Sequence, residues 1–551
     1  MPRTPRIVAV VAAIAVAMGL SACSPGPAAS SADTSTGADT IIYGKSDGGT
    51  TYVRNYNVLG PATEKAPNAE LIYEPLARID YSDGAIVKPW LAESLDFDDS
   101  GTTLTITLRD DVTFSDSDAF DADDAVYSLS LPLDNPSLNL AGVTYTSVEK
   151  IDDRTVAVAF DSPSFAALNQ FASSSLPMVP KHIWEEQDLT TWTNPDPVGT
   201  GPFTLDAFAT QQVTLRARDD YWGGEMPMTY FKILATNGET VKAQLLRGDV
   251  DWAPTGWPGA EDEFVAKNPA TNLYQLYATG GAYSMMYNTA QAPFDDADLR
   301  KALALSIPRS DITATLNRPG TEAGPTGLVD QIYEDWIAPE YRGVVQEVDE
   351  DAAIQALAAS GYEVVDGALQ RDGQTYTPRL SFNQDFGWNA YADIMINSWK
   401  KVLGLTVTPA GAPGATLYDQ QKTGDFDLTI ATTGGAGVYG VYSFLDSRYV
   451  EPIGTAAATN IGRWNDPETD DILAGMTQAS DEETMKSLAL EMQKIVVDEV
   501  PFTPLYNSYW FVDVNASNWT GWPTPEDFTA IPFPSLGPDT VLTLLSLEPV
   551  A

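Results

Sequence analysis

Cysteine and histidine are almost absent from this sequence of 551 residues. The single cysteine, Cys23, has no partner for an intramolecular disulfide, so the stability of the fold must come from a large core. The single histidine, His182, cannot by itself form a histidine metal site, and Cys23 is the only thiol with which it could form a triad. We therefore expect His182 to be a structural surface residue, and we expect no cofactor and no metal site.

Basic residues are also scarce, because 31 lysines and arginines stand against 76 aspartates and glutamates, for a formal net charge of -45. So negative a surface repels nucleic acid and anionic lipid headgroups, and nucleic acid is excluded as a partner. The acids are spread along the chain and form no acidic tail. This distribution indicates a solvated, highly soluble exterior and carries no information about a ligand.

Long apolar runs are missing too, since no stretch is long enough to cross a membrane comfortably. The longest run, residues 7–20, follows Arg3 and Arg6 and has the length of a signal-peptide core. The next residues are Ser21, Ala22 and Cys23, and small residues before a cysteine resemble the bacterial lipoprotein processing box. That resemblance implies that Cys23 receives a diacylglyceryl group and becomes the first residue of the mature chain.

The processing box predicts how the beginning of the chain is organised. Residues 1–22 are expected to be a signal peptide. Residues 23–39 are rich in Ser, Ala, Gly, Pro and Thr, and they are expected to form a flexible tether behind the lipidated Cys23. The mature protein is then extracytoplasmic and lipid-anchored to the outer face of the cell membrane.

Strand-like and helix-like segments alternate along the remaining residues, which predicts α/β lobes whose sheets are covered by helices. The predicted strands are residues 41–43, 104–108, 155–160 and 405–408. The predicted helices are residues 122–129, 299–307, 350–360, 388–403 and 481–497. The length of the chain suggests two or more lobes.

Ten short motifs follow one another between about residues 70 and 510. They are Tyr73-Glu74-Pro75-Leu76, Lys88-Pro89-Trp90-Leu91-Ala92-Glu93-Ser94, Leu108-Arg109-Asp110-Asp111-Val112-Thr113-Phe114-Ser115-Asp116, Ala122-Asp123-Asp124-Ala125-Val126, Val179-Pro180-Lys181-His182-Ile183-Trp184, Pro197-Val198-Gly199-Thr200-Gly201-Pro202-Phe203, Asp220-Tyr221-Trp222, Leu299-Arg300-Lys301-Ala302-Leu303, Gly424-Asp425-Phe426-Asp427 and Pro501-Phe502-Thr503-Pro504-Leu505-Tyr506. In this order they resemble family 5 of the extracellular solute-binding proteins, the oligopeptide and dipeptide binders of ABC importers.

The resemblance implies the fold and the domain organisation. The fold class is α/β, a two-lobed clamp of the periplasmic-binding-protein type II kind with an extra inserted domain and a cleft between the lobes. Lobe I would comprise residues 40–73, 197–285 and 508–551, the inserted domain residues 74–196, and lobe II residues 286–507. A ligand would lie between the lobes, which close by hinge motion.

The resemblance also implies the partners. A monomeric protein would bind a small-molecule ligand, an oligosaccharide or an oligopeptide, and deliver it to ABC permease subunits in the membrane. Lipid on Cys23 would hold it at that membrane. No catalytic residues are expected, and the protein is expected not to be an enzyme.

The ligand class depends on a missing acid. The peptide binders of the family carry an acid after the strand that follows Gly424-Asp425-Phe426-Asp427, and this acid pairs with the peptide amine. Residues 431–442 of this chain contain no acid, and the first one is Asp446. A buried ammonium needs a partner, so this departure argues against peptides, although Asp446 would serve if the loop were shifted.

The C-terminal region favours sugars. The segment Trp519-Thr520-Gly521-Trp522-Pro523-Thr524 and the ending at residues 542–549 resemble the branch of the family that binds cello-oligosaccharides. A pyranose stacks its C–H face on an aromatic ring, and its hydroxyls need fixed donors and acceptors. The candidate ligand contacts are Trp252, Trp257, Trp388, Asn389, Trp510 and Trp522, with Asp446 as the alternative amine partner.

Each candidate also has a simpler structural explanation. A tryptophan in a large protein more often belongs to the core than to a ligand platform. Asn389 and Asp385 have the residue types that cap a helix, and residues 388–403 are predicted to be one. The sequence therefore leaves both roles open for these positions.

Four other classes of function compete with a sugar-binding protein. An oligopeptide or dipeptide binder is the main alternative, and a secreted glycosidase is the rival from a different class. No Gly-x-Ser-x-Gly elbow and no His-Glu-x-x-His motif is present, and with 76 acidic residues no pair of carboxylates stands out as catalytic. A nickel-binding or haem-binding branch is disfavoured by the single histidine, and an adhesin by the absence of repeats.

Overall fold

The structure is a computed structural model that describes residues 39–45, 51–59, 66–257, 259–316, 321–385 and 388–550. The described residues all belong to one compact unit. The predicted signal peptide, the predicted lipidation site Cys23 and the predicted tether as far as residue 38 lie outside them. Within the described ranges, no helix combines the length and the apolar content that a membrane span requires.

The strands alternate with helices as the sequence predicts. The strands are β1 Thr40–Lys45, β2 Ala77–Asp80, β3 Ile86–Pro89, β4 Ala92–Phe97, β5 Thr103–Leu108, β6 Ser147–Lys150, β7 Thr155–Ala159, β8 Phe203–Ala209, β9 Gln212–Ala217, β10 Tyr230–Ala235, β11 Trp252–Ala253, β12 Asn272–Tyr287, β13 Glu363–Val365, β14 Ala368–Arg371, β15 Gln374–Tyr376, β16 Arg379–Asn383, β17 Thr408–Ala412, β18 Leu428–Gly434, β19 Phe502–Asn515, β20 Trp519–Thr520 and β21 Glu548–Pro549.

Helices alternate with these strands along the described residues. They are α1 Ala122–Asp134, α2 Lys181–Trp184, α3 Gly238–Arg247, α4 Ala260–Glu263, α5 Ala297–Leu305, α6 Arg309–Thr315, α7 Asp330–Tyr333, α8 Glu350–Ala359, α9 Asn389–Val402, α10 Gly414–Thr423, α11 Gly437–Tyr442, α12 Pro467–Gln478, α13 Glu482–Glu499 and α14 Pro538–Ser546. Short 3-10 turns at Ala69–Leu71 and Phe165–Ala172 lie beside the cavities discussed below.

Aspartates begin many of these helices, which accounts for part of the acidic composition. The side chain of Asp121 accepts a hydrogen bond from the amide of Asp123 at the start of α1. Asp296, Asp466 and Asp481 accept in the same way from the third residue beyond them, at the starts of α5, α12 and α13. A carboxylate there satisfies a free amide and the positive end of the helix dipole. The predicted helices are confirmed, with ends that differ by a few residues.

One predicted strand is displaced. The sequence predicts a strand over residues 405–408, whereas β17 begins at Thr408, which pairs with Arg379 of β16. The amide of Leu405 donates to Trp399 O at the end of α9, and that of Thr406 donates to Gly367 O. These hydrogen bonds connect residues 405–407 to a helix and a turn. The buried apolar side chains of this segment therefore do not belong to a β-strand.

A ten-stranded sheet joins the two halves of the molecule. Its order is β17-β16-β18-β12-β19-β11-β1-β10-β9-β8, so the long antiparallel strands β12 and β19 lie in the middle and belong to both halves. Leu380, Ile430, Leu303 and Trp399 belong to the core of the second half. The register of β12 against β19 shifts between Ala278 and Ala282, where three residues of β12 bulge out of the ladder. Residues 278–282 are called the bulge below.

A separate four-stranded sheet, in the order β4-β5-β7-β6, is attached to the first half. Ile106 and Val158 of this sheet belong to the same buried apolar cluster as Leu215 and Phe231 of β9 and β10. The β2–β3 hairpin extends from this region in the other direction, and Ala85 at its turn is buried in a cluster of the second half. The attached sheet therefore shares its core with the first half, while the hairpin reaches the second.

The turn over residues 197–203 returns the chain to the first half, as its two glycines predict. A Cβ on Gly199 would lie 2.0 Å from Ile72 O, and one on Gly201 would lie 2.4 Å from Leu71 O. No other residue allows so close an approach of two backbones. The buried guanidinium of Arg218 donates to the carbonyls of Gly199 and Gly201 and fixes the turn in front of β8.

Candidate ligand-binding cleft

The parallel strands of both halves point their carboxyl ends at the bulge. Trp252 of β11 and Leu273 of β12 both pair with Val514 of β19, and the residues after them both pair with Asp513. The strands β11 and β12 therefore run in the same direction, towards the bulge. From the other half, β18 begins opposite Tyr287 and ends opposite Gly281. Ligands of open α/β sheets bind outside the carboxyl ends of the strands. The cleft therefore lies between the loops that follow β1, β10 and β11 and those that follow β16, β17 and β18.

Glycines allow the strands to cross closely at this point. A Cβ on Gly281 would lie 2.2 Å from Thr433 O, and one on Gly434, whose φ is +123°, would lie 2.4 Å from the Cα of Gly281. The hydroxyl of Tyr333 donates to Gly435 O at 3.1 Å. The backbone is thus in direct contact exactly where the two halves meet.

A cavity of about 380 Å³ opens at the carboxyl ends of β16 and β18 in the second half. It is called the indole cavity below, because the Trp388 side chain lines it. No aspartate or glutamate is among the residues that the structure shows lining it, which are Asn383, Trp388, Gly414, Leu417, Tyr418, Gln421, Lys422, Ile430, Ala431, Thr432, Ala458, Thr459 and Ile461. The cavity offers the rings of Trp388 and Tyr418, two amides and hydroxyls. It also contains one cation, Lys422, whose Nζ lies 4.4 Å from the centre of the Tyr418 ring.

Trp388 is held in place by its neighbours. Its ring packs edge-on against Tyr283 of β12, with ring centres 5.4 Å apart, and 8% of the residue is exposed. Asn389 follows it as the exposed first residue of α9. The carboxylate of Asp385 accepts a hydrogen bond from the amide of Gly414 at 2.8 Å. Asp385 therefore fixes the start of α10, and not α9, beside the indole cavity.

Trp257 and Trp510 lie on the other side of the cleft. Trp510 packs edge-on against Tyr81 of the segment between β2 and β3, with ring centres 4.9 Å apart. Trp257 is partly exposed, and Lys242 Nζ lies 5.1 Å from the centre of its ring. The buried Asp513 of β19 accepts hydrogen bonds from the amides of Thr255 and Gly256, and so holds the loop that carries Trp257. Burial raises the pKa of Asp513, and these hydrogen bonds oppose part of the rise.

Trp252 and Trp522 lie in the core of the first half, against which Trp510 also packs. They are 0% and 7% exposed, and their ring centres are 5.2 Å apart. The indole Nε1 of Trp252 donates to Pro532 O, and that of Trp522 donates to Trp519 O. Trp388 is buried to a similar degree, but it lines the indole cavity, whereas Trp252 and Trp522 do not. With their rings covered and their donors used, a packing role is favoured for both.

Asp446 is already paired. It is 3% exposed, and its carboxylate accepts hydrogen bonds from the amide of Arg448 at 2.9 Å and from the guanidinium Nε at 2.9 Å. The carboxylate raises the pKa of Arg448 further above its ordinary range. A peptide ammonium would have to displace this arginine to use Asp446.

His182 is a surface residue. Its Nε2 lies 2.9 Å from an Asp116 carboxylate oxygen and 3.4 Å from one of Asp118, and all three residues are exposed. The sequence predicted this placement.

A second polar cavity, of about 290 Å³, was not predicted from the sequence. It lies between the first half and the region around the attached four-stranded sheet. Its lining includes Lys45 at the carboxyl end of β1, Asn68, Glu70 and three serines. We call it the seam cavity. The sequence offered one indication of this cavity. Two polar residues, Asn68 and Glu70, stand directly before the buried apolar residues Leu71, Ile72 and Tyr73.

Glu74, from the motif that follows this run, is a buried structural acid. Its carboxylate accepts hydrogen bonds from Trp90 Nε1 at 2.8 Å, the Tyr221 hydroxyl at 2.7 Å and Trp222 Nε1 at 3.1 Å. Burial raises the pKa of Glu74, and these donors oppose the rise. Three of the ten motifs of the sequence therefore meet at one carboxylate.

Comparisons with known proteins agree with this architecture. Residues 87–452 match the family model described as bacterial extracellular solute-binding proteins, family 5 Middle. Protein XP55 of Streptomyces lividans is 27% identical over 79% of this chain and 78% of its own length. The oligopeptide-binding protein OppA of Bacillus subtilis is 24% identical over 80% of this chain and 84% of its own.

Solved structures resemble the fold over almost its whole length. A periplasmic oligopeptide-binding protein of an oligopeptide ABC transporter from Thermotoga maritima has a TM-score of 0.82 at 21% identity, and covers 93% of this chain and 99% of its own. The mannohexaose-bound structure of that protein has a TM-score of 0.76, at the same identity and coverage. These neighbours confirm the predicted fold, a two-lobed α/β periplasmic binding protein of type II. The chain belongs to family 5 of the bacterial extracellular solute-binding proteins, binding proteins that serve ABC importers.

Proposed function

We propose that this protein captures a neutral oligomer, a β-linked oligosaccharide, in the cleft at the bulge and delivers it to an ABC permease. The observation that carries the proposal is the lining of the indole cavity, which combines the Trp388 ring with amides and hydroxyls and has no carboxylate among its described residues. An oligomer with an ammonium group would find no partner there.

The chemistry of a pyranose suits this lining. Its apolar face can lie on the indole of Trp388, and its hydroxyls can exchange hydrogen bonds with Asn383, Gln421 and Thr432. The volume of about 380 Å³ is within the range of small-molecule sites. Trp510 and Trp257 supply further rings on the facing side of the cleft, and Asn389 a further amide at its edge. The mannohexaose-bound neighbour shows that one protein of this fold takes an oligosaccharide.

An oligopeptide is the second candidate, and the relatives favour it. OppA of Bacillus subtilis is named for oligopeptide binding, and so is a structural neighbour from the same species in complex with a nonapeptide. In this chain Asp446 would have to receive the amine, and Arg448 already occupies its carboxylate. The peptide alternative therefore requires a rearrangement that the sugar proposal does not.

We also propose the division of the chain. Lobe I comprises residues 40–73, 197–285 and 508–551, lobe II residues 286–507, and the inserted domain residues 74–196. The sheet order supports this, because β12 and β19 are the strands that both halves share. The bulge would then act as the hinge.

Anchoring completes the proposal. Lipid on Cys23 would keep the protein at the outer face of the membrane beside its permease. Two acyl chains hold far more firmly than one, since each buried methylene contributes about 0.8 kcal/mol. Replacement of Cys23 by alanine should release the protein or leave it unprocessed, which fractionation of cells can detect. Fully processed Cys23→Ala protein that stayed on the membrane would contradict the anchor.

Calorimetry against a cello-oligosaccharide series and a mixed peptide library tests the ligand class. We expect heat from the sugars and none from the peptides. Trp388→Ala should weaken sugar binding at least tenfold, about 1.4 kcal/mol, because the ring that stacks on the sugar is lost. Trp336→Ala is the matched control, since this partly buried tryptophan lies outside the cavity. Heat from peptides and none from sugars would overturn the sugar assignment.

A further inference from the structure

A polar cavity at the seam between lobe I and the inserted domain has the features of a built binding site. We propose that the seam cavity binds a hydroxylated terminal unit of the solute, with Asn68 and Glu70 accepting hydrogen bonds from its hydroxyl groups. The proposal rests on the proposed sugar function and extends it to a second subsite. The described lining is Lys45, Asn55, Val58, Ala66, Asn68, Ala69, Glu70, Tyr73, Leu140, Ser174, Ser175, Pro177 and Ser535.

Asn68 has an acceptor that the protein does not use. Its Nδ2 donates to Glu70 Oε1 at 3.1 Å and to the carbonyl of Pro534. Both partners are acceptors, so the amide cannot be turned round, and Oδ1 is fixed on the other side. Asn68 is 4% exposed, and its Oδ1 is buried without a hydrogen-bond partner. An unused buried acceptor is costly, and a bound hydroxyl would satisfy it.

The backbone of Asn68 is also strained. Its φ of 52° and ψ of 38° place it in the left-handed region just before the turn Ala69–Leu71. The cost is small for asparagine, which adopts this region more readily than other non-glycine residues, and the hydrogen bonds to Glu70 and Pro534 hold Asn68 there. The backbone therefore fixes the side chain in the cavity wall, and the unused acceptor is the feature that points to a ligand.

The charges of the cavity favour a neutral occupant. Burial raises the pKa of Glu70, and the nearby Lys45 ammonium opposes part of that rise. The cavity thus contains one acid, Glu70, and one cation, Lys45. The lysine already balances the charge of the acid, so the cavity offers no free negative charge to the ammonium group of a ligand. A sugar hydroxyl needs no charge, and it can donate to the Glu70 carboxylate while it accepts from one of the serine hydroxyls.

The seam cavity leads towards the cleft. A smaller cavity of about 110 Å³ shares Glu70, Ser174 and Ser535 with it and is also lined by Tyr81. Tyr81 packs against Trp510 beside the bulge. We expect a long oligomer bound at the bulge to extend past Tyr81 towards the seam cavity, and a short one to stay at the bulge.

The dependence of affinity on chain length tests this second subsite. In calorimetry with cello-oligosaccharides of increasing length, Glu70→Gln should weaken the longer members about tenfold or more, because a charge-assisted hydrogen bond is lost, and leave the shortest unchanged. Trp388→Ala should weaken all lengths. Glu74→Gln is the matched control, because the Glu74 carboxylate is fully used by Trp90, Tyr221 and Trp222 and should not affect length dependence.

A second variant separates binding from folding. Asn68→Gly removes the unused acceptor and adopts the left-handed backbone without strain, so it should fold and still lose affinity for the longer sugars. Wild-type affinities of Glu70→Gln and Asn68→Gly for every sugar that the native protein binds would overturn the seam subsite alone. Peptide binding by the native protein without sugar binding would overturn the sugar function and, with it, the hydroxylated occupant.

Discussion

At the scale of single residues, the protein buries several carboxyl groups whose pKa values burial raises. They are Glu70, Glu74, Asp124, Asp251, Asp513 and Asp539. Each accepts hydrogen bonds that oppose the rise without cancelling it. Such groups hold protons more tightly in the folded chain than in the unfolded chain, so they destabilise the protein as the pH increases.

Asp539 gives a quantitative prediction. Burial raises its pKa from 3.8 to about 7, against the opposing effects of the Ile531 amide and the Arg78 guanidinium. Its stabilising contribution is complete below pH 3.8 and is lost as the pH rises through about 7. Between pH 5 and pH 8, Asp539→Asn should therefore lose about 2–3 kcal/mol less unfolding free energy than the native protein.

Urea denaturation at the two pH values measures this difference. Asp98→Asn is the control, because Asp98 is exposed and its pKa is lowered by Ser100 and nearby amides, so it stays ionised throughout this range. Its loss of stability should equal that of the native protein, which includes the repulsion among the surface acids. An Asp539→Asn variant with the same loss would contradict the assignment.

At the scale of elements, the sequence predicted what local signals determine. Apolar periodicity marked α5, α8, α9 and α13, and an aspartate caps three of them, α5, α8 and α13. The strand predicted over residues 405–408 was displaced because the amide of Leu405 donates to Trp399 O near the end of α9 and that of Thr406 donates to Gly367 O, between β13 and β14. Tertiary contacts of this kind leave no periodic pattern in the chain.

The candidate site was predictable only in part, for the same reason. Trp257 and Trp388 follow β11 and β16, and Trp510 lies on β19, which runs past the bulge. Trp252 and Trp522 have the same residue type and similar glycine-rich and proline-rich surroundings, but β11 and the C-terminal segment pack their rings together. The seam cavity depends on residues 45, 70, 174 and 535, which only the folded chain brings together.

The bulge is the element on which closure would depend. The glycines at 281 and 434 bring β12 and β18 into backbone contact, and the register shift interrupts the ladder between β12 and β19. A ladder with missing bonds bends more easily than a regular one. The contact between Gly281 and Gly434 would keep β12 and β18 together while the pairing of β12 with β19 changes during closure.

At the scale of the whole molecule, ligand contacts contributed by both lobes should drive closure, since a closed arrangement gains contacts that the open one lacks. A saturating cello-oligosaccharide should therefore reduce the radius of gyration measured by small-angle X-ray scattering. Gly434→Ala should reduce this compaction, because its Cβ would lie 2.4 Å from the Cα of Gly281 at a φ that alanine rarely adopts.

The control for this experiment is Gly238→Ala, a glycine at the start of α3 whose added Cβ would meet nothing within 4 Å. It should compact like the native protein, and circular dichroism should show that both variants fold. A native protein whose radius of gyration does not change at saturating ligand would contradict closure. Equal compaction of all three proteins would confirm closure but remove the bulge as its hinge, since the steric contact at Gly434 would then have no effect on the movement of the lobes.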